Sequence, residues 1–177
     1  MKRIVAVAAL LLVGHRAALS QQPAHPTAKN SAFVEIAGNG GLASINYERS
    51  VAPGLQVRIG WGNWGADTQD DFATYSKSYN TFPIMVSSVL YPGTHHLEVG
   101  GGVTLGREAV DSMVVLAERT TFSRSITTLE SFVGYRRQPP GGGFVLRLGL
   151  TPSYSVSGDY PDTGFHLGAG FSAGWAF

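Results

Sequence analysis

Apolar residues alternate with small or polar residues from Phe165 to Phe177, a segment that reads F-H-L-G-A-G-F-S-A-G-W-A-F. Successive side chains of a β-strand point to opposite faces, so this segment has one apolar face and one small, polar face. An aromatic residue that closes such a strand is typical of a strand that ends at a membrane interface. The pattern therefore predicts a strand that crosses a bacterial outer membrane.

Similar alternating runs, bounded by turn residues, predict seven further strands. The complete set covers approximately 32–38, 42–51, 55–64, 80–91, 95–105, 125–137, 143–153 and 165–177. Most of these runs come close to the roughly 9–11 residues that a tilted strand needs to cross a bilayer. The sequence therefore predicts an all-β fold, an eight-stranded antiparallel up-and-down transmembrane β-barrel.

The connections between the predicted strands support this architecture. Three are tight Pro/Gly turns, at 51–54, 91–94 and 138–142, and three are longer and polar, at about 65–79, 106–124 and 154–164. The first hairpin has the short turn Gly38-Asn39-Gly40-Gly41. Outer-membrane barrels alternate short periplasmic turns with longer outer loops. We therefore expect both termini to lie in the periplasm.

Alternate positions along each predicted strand carry two different sets of side chains. One set is apolar and is expected to face lipid. The other set includes Glu35, Glu48, Arg58, Glu98, Glu130, Arg136 and Arg147. A charge that faces hydrocarbon costs roughly 2–4 kcal/mol near the bilayer midplane. The sequence therefore predicts an internal ion-pair network. Together with Phe33 and Phe132, these residues are expected to fill the narrow lumen and to exclude general porin activity.

The fourth predicted strand does not divide cleanly into an apolar face and a polar face. Phe82, Ile84 and Val86 share one parity, whereas Met85 and Val89 share the other. A β-bulge near Ser87-Ser88 would reconcile the two halves. Pro83 lacks a backbone donor, which favours the outer rim or a bulge over the centre of a strand.

Aromatic residues fall at both ends of the predicted strands. The inner-end group is Tyr47, Tyr91, Tyr135, Trp175 and Phe177, and the outer-end group is Trp61, Trp64, Tyr154 and Phe165. Two such girdles are typical of membrane barrels, whose aromatic side chains lie at the level of the lipid headgroups.

The N-terminus is typical of a secretory signal peptide. Lys2 and Arg3 precede an apolar run over residues 4–13, and Ala18-Leu19-Ser20 precedes Gln21. The run is too short for a membrane helix, which needs roughly 20 residues. The sequence therefore predicts a cleaved signal peptide over residues 1–20, a periplasmic segment over 21–31 and an outer-membrane barrel domain over 32–177.

Composition narrows the function classes. Cleavage before Gln21 leaves ten basic and twelve acidic residues, and the net charge of about −2 argues against a nucleic-acid surface. The sequence has no cysteine, which excludes disulfides, thiol chemistry and a lipoprotein attachment site. No cofactor and no metal site is predicted.

The signal peptide, the nearly alternating loops and the last strand ending on Phe177 give the chain a family resemblance. It resembles the small eight-stranded outer-membrane barrels, such as the OmpA membrane domain, OmpX and the lipid A enzymes PagP and PagL. The segments T-F-P-I-M at 81–85 and G-Y-R-R-Q-P-P-G-G at 134–142 are more similar to an uncharacterised group of Gram-negative barrel proteins. The resemblance implies that Trp175 and Phe177 form a signal for the barrel-assembly machinery.

An enzymatic interpretation needs a nucleophile, a base and an orienting acid at one end of the barrel. The candidates are Ser153, His166 and Asp162, with Ser155 and Asp159 nearby. These residues could form the catalytic triad of an acyl hydrolase that acts on outer-leaflet lipid. However, the His-x-Ser pattern of PagL-type deacylases is absent, because Leu167-Gly168 follows His166. A histidine hydrogen-bonded to a neighbour at the rim or in the lumen is the favoured interpretation.

Two polar clusters fall short of a metal site. His96 and Glu98 share a parity beside His95, but two ligands do not make a site. Asp67, Asp70 and Asp71 lie in the second outer loop without the spacing of a calcium loop. Structural packing and a solvated loop are the favoured interpretations.

The third outer loop contains two short runs suited to strands, Met113–Ala117 and Thr120–Phe122. They could extend the fifth and sixth strands above the membrane as a protruding hairpin, whose exposed edge could add a partner strand and serve adhesion. They could equally form a loop packed over the barrel mouth. The sequence leaves both possibilities open.

The favoured function is that of a monomeric, non-enzymatic structural or surface-binding protein of the cell outer membrane. Its expected partners are outer-membrane lipid, lipopolysaccharide and the barrel-assembly machinery. Two alternatives stay open, namely a lipid A-modifying acyl hydrolase or transferase of the outer leaflet and a soluble periplasmic lipocalin-like barrel. The second alternative would require a continuous apolar interior.

Overall fold

A computed structural model describes residues 26–69, 73–114, 120–157 and 164–177. These residues form eight strands: β1 (Asn30–Gly38), β2 (Gly41–Ala52), β3 (Leu55–Gln69), β4 (Ala73–Leu90), β5 (His95–Val114), β6 (Thr120–Arg137), β7 (Gly143–Ser157) and β8 (Gly164–Ala176). Every strand pairs antiparallel with its neighbours in sequence, and β1 pairs with β8 to close the barrel. The predicted eight-stranded antiparallel barrel is confirmed. Within the described ranges, no helix is long and apolar enough to span a bilayer.

The two ends of the barrel differ. One end carries the tight connections after β2, β4 and β6, and we call it the turn end. Glycine allows the chain to reverse there, since Gly54 and Gly142 adopt φ values of 72° and 93° that disfavour other residues. The opposite end, called the loop end, carries the β1–β2 turn and the connections after β3, β5 and β7.

Exposure in the barrel is the reverse of that in a water-soluble protein. Val34, Ile45 and Ile59 point outward and are 52%, 58% and 55% exposed, whereas Glu35 and Glu48 are 1% exposed inside the barrel. Charged residues are almost never fully buried unless they are paired, and large exposed apolar surfaces mark contact with another apolar phase. The described barrel wall therefore presents an apolar surface outward and encloses a polar core.

The β-bulge predicted near Ser87-Ser88 is wrong. β4 keeps one continuous register with β3 and with β5 across both serines. Met85 and Val89 instead point into the lumen, where they are 2% and 1% exposed. The lumen accepts these two apolar side chains, so β4 can carry apolar residues on both faces and still be a regular strand.

Pro83 lies within β4, and its predicted placement at the rim or in a bulge is also wrong. It pairs with Thr104 of β5, while the ladder with β3 skips both Pro83 and Phe82. A proline has no N–H to donate, so an interruption of the ladder is the expected cost. The ring is buried in the lumen, and the missing Cβ of Gly60 leaves space for it, because a Cβ there would lie 2.9 Å from Pro83 Cγ.

Much of the sequence expected to form long polar loops over 65–79 and 106–124 is strand. β3 continues to Gln69, β4 begins at Ala73, β5 continues to Val114 and β6 begins at Thr120. The alternation of apolar and polar residues marks a strand only where one face meets an apolar phase. These extensions lack that signal because both of their faces are polar or mixed.

Candidate functional site

Six charged side chains form a continuous chain of ion pairs in the lumen, and we call them the lumen network. In order, the distances are 3.1 Å for Arg58–Glu35, 3.7 Å for Glu35–Arg147, 2.8 Å for Arg147–Glu98, 3.2 Å for Glu98–Arg136 and 2.6 Å for Arg136–Glu48. Positive and negative groups alternate along the chain, so the network is formally neutral. Each residue comes from a different strand, and the network therefore links β1, β2, β3, β5, β6 and β7.

The lumen network is almost completely shielded from solvent, since each of its residues is 1–2% exposed. Aromatic rings complete its surroundings. The Arg147 guanidinium lies 4.9 Å from the ring centroid of Phe33 and 4.5 Å from that of Phe132. Arginine stacks favourably on aromatic faces, and such contacts strengthen when they are desolvated. Arg147 is therefore held by two carboxylates and two rings.

Glu130, the seventh residue expected in the lumen, is joined to the network through Asn39. The Asn39 side-chain amide donates to Glu130 Oε2 at 2.9 Å, and its carbonyl oxygen accepts from Arg58 Nη2 at 2.8 Å. Glu130 is only half-buried, and among the described residues the ion pairs of the three arginines are all with other carboxylates. It therefore belongs to the edge of the network nearest the loop end.

The β1–β2 turn folds inward over the lumen. Asn39 is 3% exposed, and its backbone carbonyl accepts a hydrogen bond from Thr104 Oγ1 at 2.9 Å. The next carbonyl, that of Gly40, accepts from Thr81 Oγ1 at 2.6 Å. The turn thus contacts β3, β4, β5 and β6, on the far side of the barrel mouth. The turn and the buried side chains around it therefore occupy this part of the barrel interior.

Trp64 covers the same turn, and its predicted place in an outward-facing girdle is wrong. It shares the inward parity of β3 and stacks on Tyr79 of β4, with ring centroids 4.0 Å apart and planes 16° from parallel. A Cβ at Gly41 would lie 2.3 Å from its Nε1 atom, so the indole lies directly against that glycine. Two stacked rings therefore extend the core beyond the lumen network.

Four strands continue past the barrel at the loop end and form a protruding sheet, consisting of β3 63–69, β4 73–80, β5 107–114 and β6 120–126. Pairing within it continues to Gln69–Thr74 and Ser112–Thr120. On its flanks, the pairing of β2 with β3 stops at Gly62, and that of β6 with β7 stops at Thr127. Among the described residues, the sheet therefore has two open edges, each about 20 Å long at roughly 3.3 Å per residue.

A second charged cluster, the Glu108 cluster, lies in the protruding sheet. Glu108 is fully buried and accepts a hydrogen bond from the Tyr79 hydroxyl at 2.8 Å. It also pairs with Arg124, and Lys77 Nζ lies 3.8 Å away. The side chains of Arg124 and Lys77 are 21% and 47% exposed, so water reaches the cations of this cluster.

The structure places two of the three catalytic candidates opposite each other. Ser153 of β7 and His166 of β8 are direct cross-strand partners near the loop end. Asp162 lies outside the described residues, as does Asp159. Among the hydrogen bonds of the described residues, none joins Ser153 to His166. Ser155 shares a hydrogen bond with Thr128 at 3.3 Å. No assembled triad follows from the described geometry.

His96 connects two turns at the turn end. Its Nδ1 lies 2.9 Å from the backbone oxygen of Tyr91, and its Nε2 lies 3.1 Å from that of Gln138. His95 points outward instead, with Nδ1 2.6 Å from the Tyr135 hydroxyl. Both ring nitrogens of His96 are occupied by backbone groups. His96 therefore acts here as a structural link between the β4–β5 and β6–β7 turns.

Metal ligands do not cluster in the part of the chain that the structure describes, where no three His, Asp or Glu side chains come together. Asp67 is exposed on the protruding part of β3, and Asp70 and Asp71 lie outside the described residues. At the turn end, Trp175 and Phe177 are 59% and 61% exposed on the outer wall. Phe177 exchanges backbone hydrogen bonds of 2.8 and 2.9 Å with Asn30, which ties the last residues to β1.

Comparisons with known proteins define the class of fold. No protein-family model and no curated protein sequence matches the chain. Among solved structures, the N-terminal β-barrel domain of Pseudomonas aeruginosa OprF is similar with 14% identity and a TM-score of 0.55, over 84% of this chain and 96% of that one. The chain therefore has the fold of the small eight-stranded outer-membrane barrels, which confirms the resemblance at the level of fold.

Two further solved barrels are similar to the chain. Ail, the attachment invasion locus protein of Yersinia pestis, was solved with the heparin analogue sucrose octasulfate and is 16% identical, with a TM-score of 0.48 over 84% of this chain and 96% of that one. Acinetobacter baumannii CarO is 11% identical, with a TM-score of 0.40 over 89% of this chain and 100% of that one.

Several residues that matter in the structure carry little signal in the sequence. Asn39 lies among glycines, and this pattern predicts a turn without predicting that the turn folds inward. Gln138 contacts Arg136 Nε at 2.7 Å and is 2% exposed, although the sequence places it in a turn. Glu108 does carry a signal, because it continues the inward parity of Glu98 along β5.

Proposed function

We propose that the protein is an integral protein of the bacterial outer membrane that binds a partner through its protruding sheet and has no enzymatic activity. The reversed distribution of apolar and charged residues supports the membrane assignment. An outward ring of Val, Ile, Leu and aromatic side chains has a low free energy in lipid and a high one in water. The fold, shared with a known outer-membrane barrel domain, is consistent with this location.

The proposed route to the membrane uses the predicted signal peptide over residues 1–20 and the barrel-assembly machinery. Trp175 and Phe177 are exposed at the end of β8, where an assembly factor could contact them. The turn end would then face the periplasm, and the loop end would face the cell exterior and lipopolysaccharide. The closed lumen suits a monomer that acts through its surface rather than through a channel.

One observation carries the binding function, namely the two open edges of the protruding sheet. The edges are β3 63–69 and the part of β6 that precedes Thr127, where strand pairing with β2 and β7 has ended among the described residues. An open strand edge presents unpaired backbone groups and can accept an additional strand from a partner. Such pairing depends mainly on backbone hydrogen bonds, so the partner would be an extended segment of another protein.

The membrane assignment is tested by fractionation. The expected result is that the protein is recovered with outer membranes and migrates faster on a gel before boiling than after, because closed barrels resist cold detergent. Recovery of the processed chain in a detergent-free osmotic-shock extract would contradict the proposal.

The binding assignment is tested with a labelled peptide of the sequence of residues 107–114, the strand that β6 already accepts on its paired side. Phe122 is exposed on the β6 edge, and Phe122→Lys is expected to weaken binding because edge lysines block strand addition. The matched control is Phe165→Lys, an exposed residue of β8 outside the protruding sheet. Equal binding by both variants and the unchanged protein would reject the proposed edge.

A further inference from the structure

A groove of about 820 Å³ runs over the outer wall of the barrel, across β8, β1, β2, β3 and β4. Its depth comes from the order of side chains around the wall. Ala32 pairs with Trp175 on one side and with Tyr47 on the other, so a methyl group lies between two large rings. Next along β1, Val34 lies beside Ala173 of β8. The volume falls within the roughly 300–1,000 Å³ of small-ligand sites.

The groove is apolar over most of its length. Ile45, Ile59, Trp61, Phe82 and Ile84 line it on β2, β3 and β4, and each is 43–58% exposed. Trp and Tyr favour the boundary between hydrocarbon and headgroups, because each combines a large apolar ring with a polar group. Trp175 and Tyr47 therefore mark the end of the groove that lies near the turn end.

Basic residues lie directly beyond that end. Asn30 precedes Ala32 on the outward face of β1 and pairs with Arg49 of β2. The Tyr47 hydroxyl donates to Asn30 Oδ1 at 2.7 Å, and Arg49 Nη1 lies 3.4 Å from the same oxygen. Lys29 is exposed and directly precedes Asn30. Among the described residues at the turn end, no Asp or Glu side chain points outward to neutralise these cations.

We infer that this groove, bounded by Trp175 and Tyr47, binds a glycerophospholipid with an anionic headgroup, with its acyl chains over Ala32 and Val34 and its phosphate at Arg49 and Lys29. The inference rests on the proposed insertion of the barrel in a membrane. Basic residues near a membrane surface attract anionic lipids, and long basic side chains reach the headgroup level from an apolar wall. The basic residues and the apolar groove therefore both favour an anionic glycerophospholipid as the ligand.

A second copy of the chain fits this surface less well. Symmetric dimers bring the same surface patch together from both subunits. Such a dimer would place two Arg49 side chains and two Lys29 side chains near each other, with no Asp or Glu side chain on the described outer wall at this end. An anionic lipid neutralises the same cations, which favours the lipid as the occupant.

The test measures the lipids that purified barrel retains in detergent micelles, by native mass spectrometry with phosphatidylglycerol or phosphatidylcholine added at equal concentration. We expect the unchanged protein to retain phosphatidylglycerol preferentially. Arg49→Gln and Lys29→Gln are each expected to reduce that preference about fivefold, since one basic residue near a membrane surface contributes about this factor. Arg49→Lys keeps the charge and is expected to keep the preference. Ala32→Leu fills the groove and is expected to weaken retention of both lipids.

Two variants serve as matched controls. Arg137→Gln removes a turn-end cation whose Nη1 atom contacts the Phe144 carbonyl away from the groove, and Ala169→Leu enlarges an exposed alanine of β8 outside it. Both are expected to retain phosphatidylglycerol as the unchanged protein does. The inference would be overturned if the unchanged protein retained the two lipids equally, or if the control variants lost as much lipid as the groove variants. It would also be overturned if the protein were a dimer and Ala32→Leu dissociated it. A heat-modifiable barrel without lipid preference would reject this inference alone, whereas a chain outside the membrane fraction would reject the proposed function.

Discussion

The lumen network and the Glu108 cluster use the same chemistry in two different surroundings. In the lumen, Arg58, Arg136 and Arg147 have side chains that are 1–3% exposed, and their carboxylate partners are equally buried. In the protruding sheet, Glu108 is buried, but Arg124 and Lys77 are 21% and 47% exposed. Water and salt can therefore solvate the cations of one region and not those of the other.

This difference indicates which ion pairs contribute most to the stability of the fold. A buried charge that loses its partner cannot be rehydrated, so breaking a buried pair costs several kcal/mol. A pair whose cation reaches water is partly screened, and exposed pairs contribute about 0–1 kcal/mol. We therefore expect the barrel to depend strongly on its lumen network and the protruding sheet to depend weakly on the Glu108 cluster.

The largest expected effect is that of Arg147→Met. The substitution leaves Glu98 and Glu35 with one arginine each, and it should lower the free energy of unfolding by about 3–5 kcal/mol. Urea unfolding of the barrel in lipid vesicles, followed by tryptophan fluorescence, measures the change. The double variant Arg147→Met/Glu98→Gln should recover part of the loss, because it leaves two carboxylates for the two remaining arginines and removes the uncompensated buried negative charge. A loss below about 1 kcal/mol would show that water hydrates the lumen.

An intermediate effect is expected for Asn39→Ala. Asn39 connects Arg58 and Glu130 and is buried, so its loss leaves buried polar groups without partners. We expect the free energy of unfolding to fall by about 1–3 kcal/mol in the same assay. The matched change in the protruding sheet is Asn63→Ala, which removes an exposed hydrogen bond of 2.8 Å to Asn80. Surface changes of that kind usually stay within about 0.5 kcal/mol, and equal losses would contradict the comparison.

The smallest effect is expected for Arg124→Met. Tyr79 and Lys77 still contact Glu108 after the change, so the loss in unfolding free energy should be about 1 kcal/mol. The contribution of Arg124 should shrink further in 1 M salt, where the Debye length is about 3 Å. The loss caused by Arg147→Met should persist in the same salt. A salt-independent effect of Arg124→Met would place the Glu108 cluster in the same class as the lumen network.

The sequence predicts the fold well because a membrane barrel repeats one simple rule. Each wall residue faces either the outer surface or the lumen, with a period of two, so Glu35 and Val34 can be assigned to opposite faces from their positions alone. The same rule predicts an inward position for Arg147. It fails for β4, where Met85 and Val89 are apolar yet point inward, because the lumen tolerates apolar side chains where lipid does not tolerate charges.

The rule also fails in the protruding sheet. The parts of β3 and β6 that lie there have polar or mixed side chains on both faces, so their sequences carry no alternating pattern and resemble polar loops. Only the pairing of these strands with β4 and β5 makes them regular. The same holds for Asn39, whose flanking glycines predict a turn but not its direction.

By itself, the sequence determined the number of strands, their faces and the set of charges that must avoid lipid, because these follow from local alternation and from the cost of burying a charge. The tertiary structure alone decided that Arg147 joins Glu98 to Glu35, that Asn39 turns inward over the lumen and that Arg49 lies below an apolar groove. Those contacts join residues far apart in the chain. They depend on the stagger between strands around the closed barrel, which no local pattern encodes.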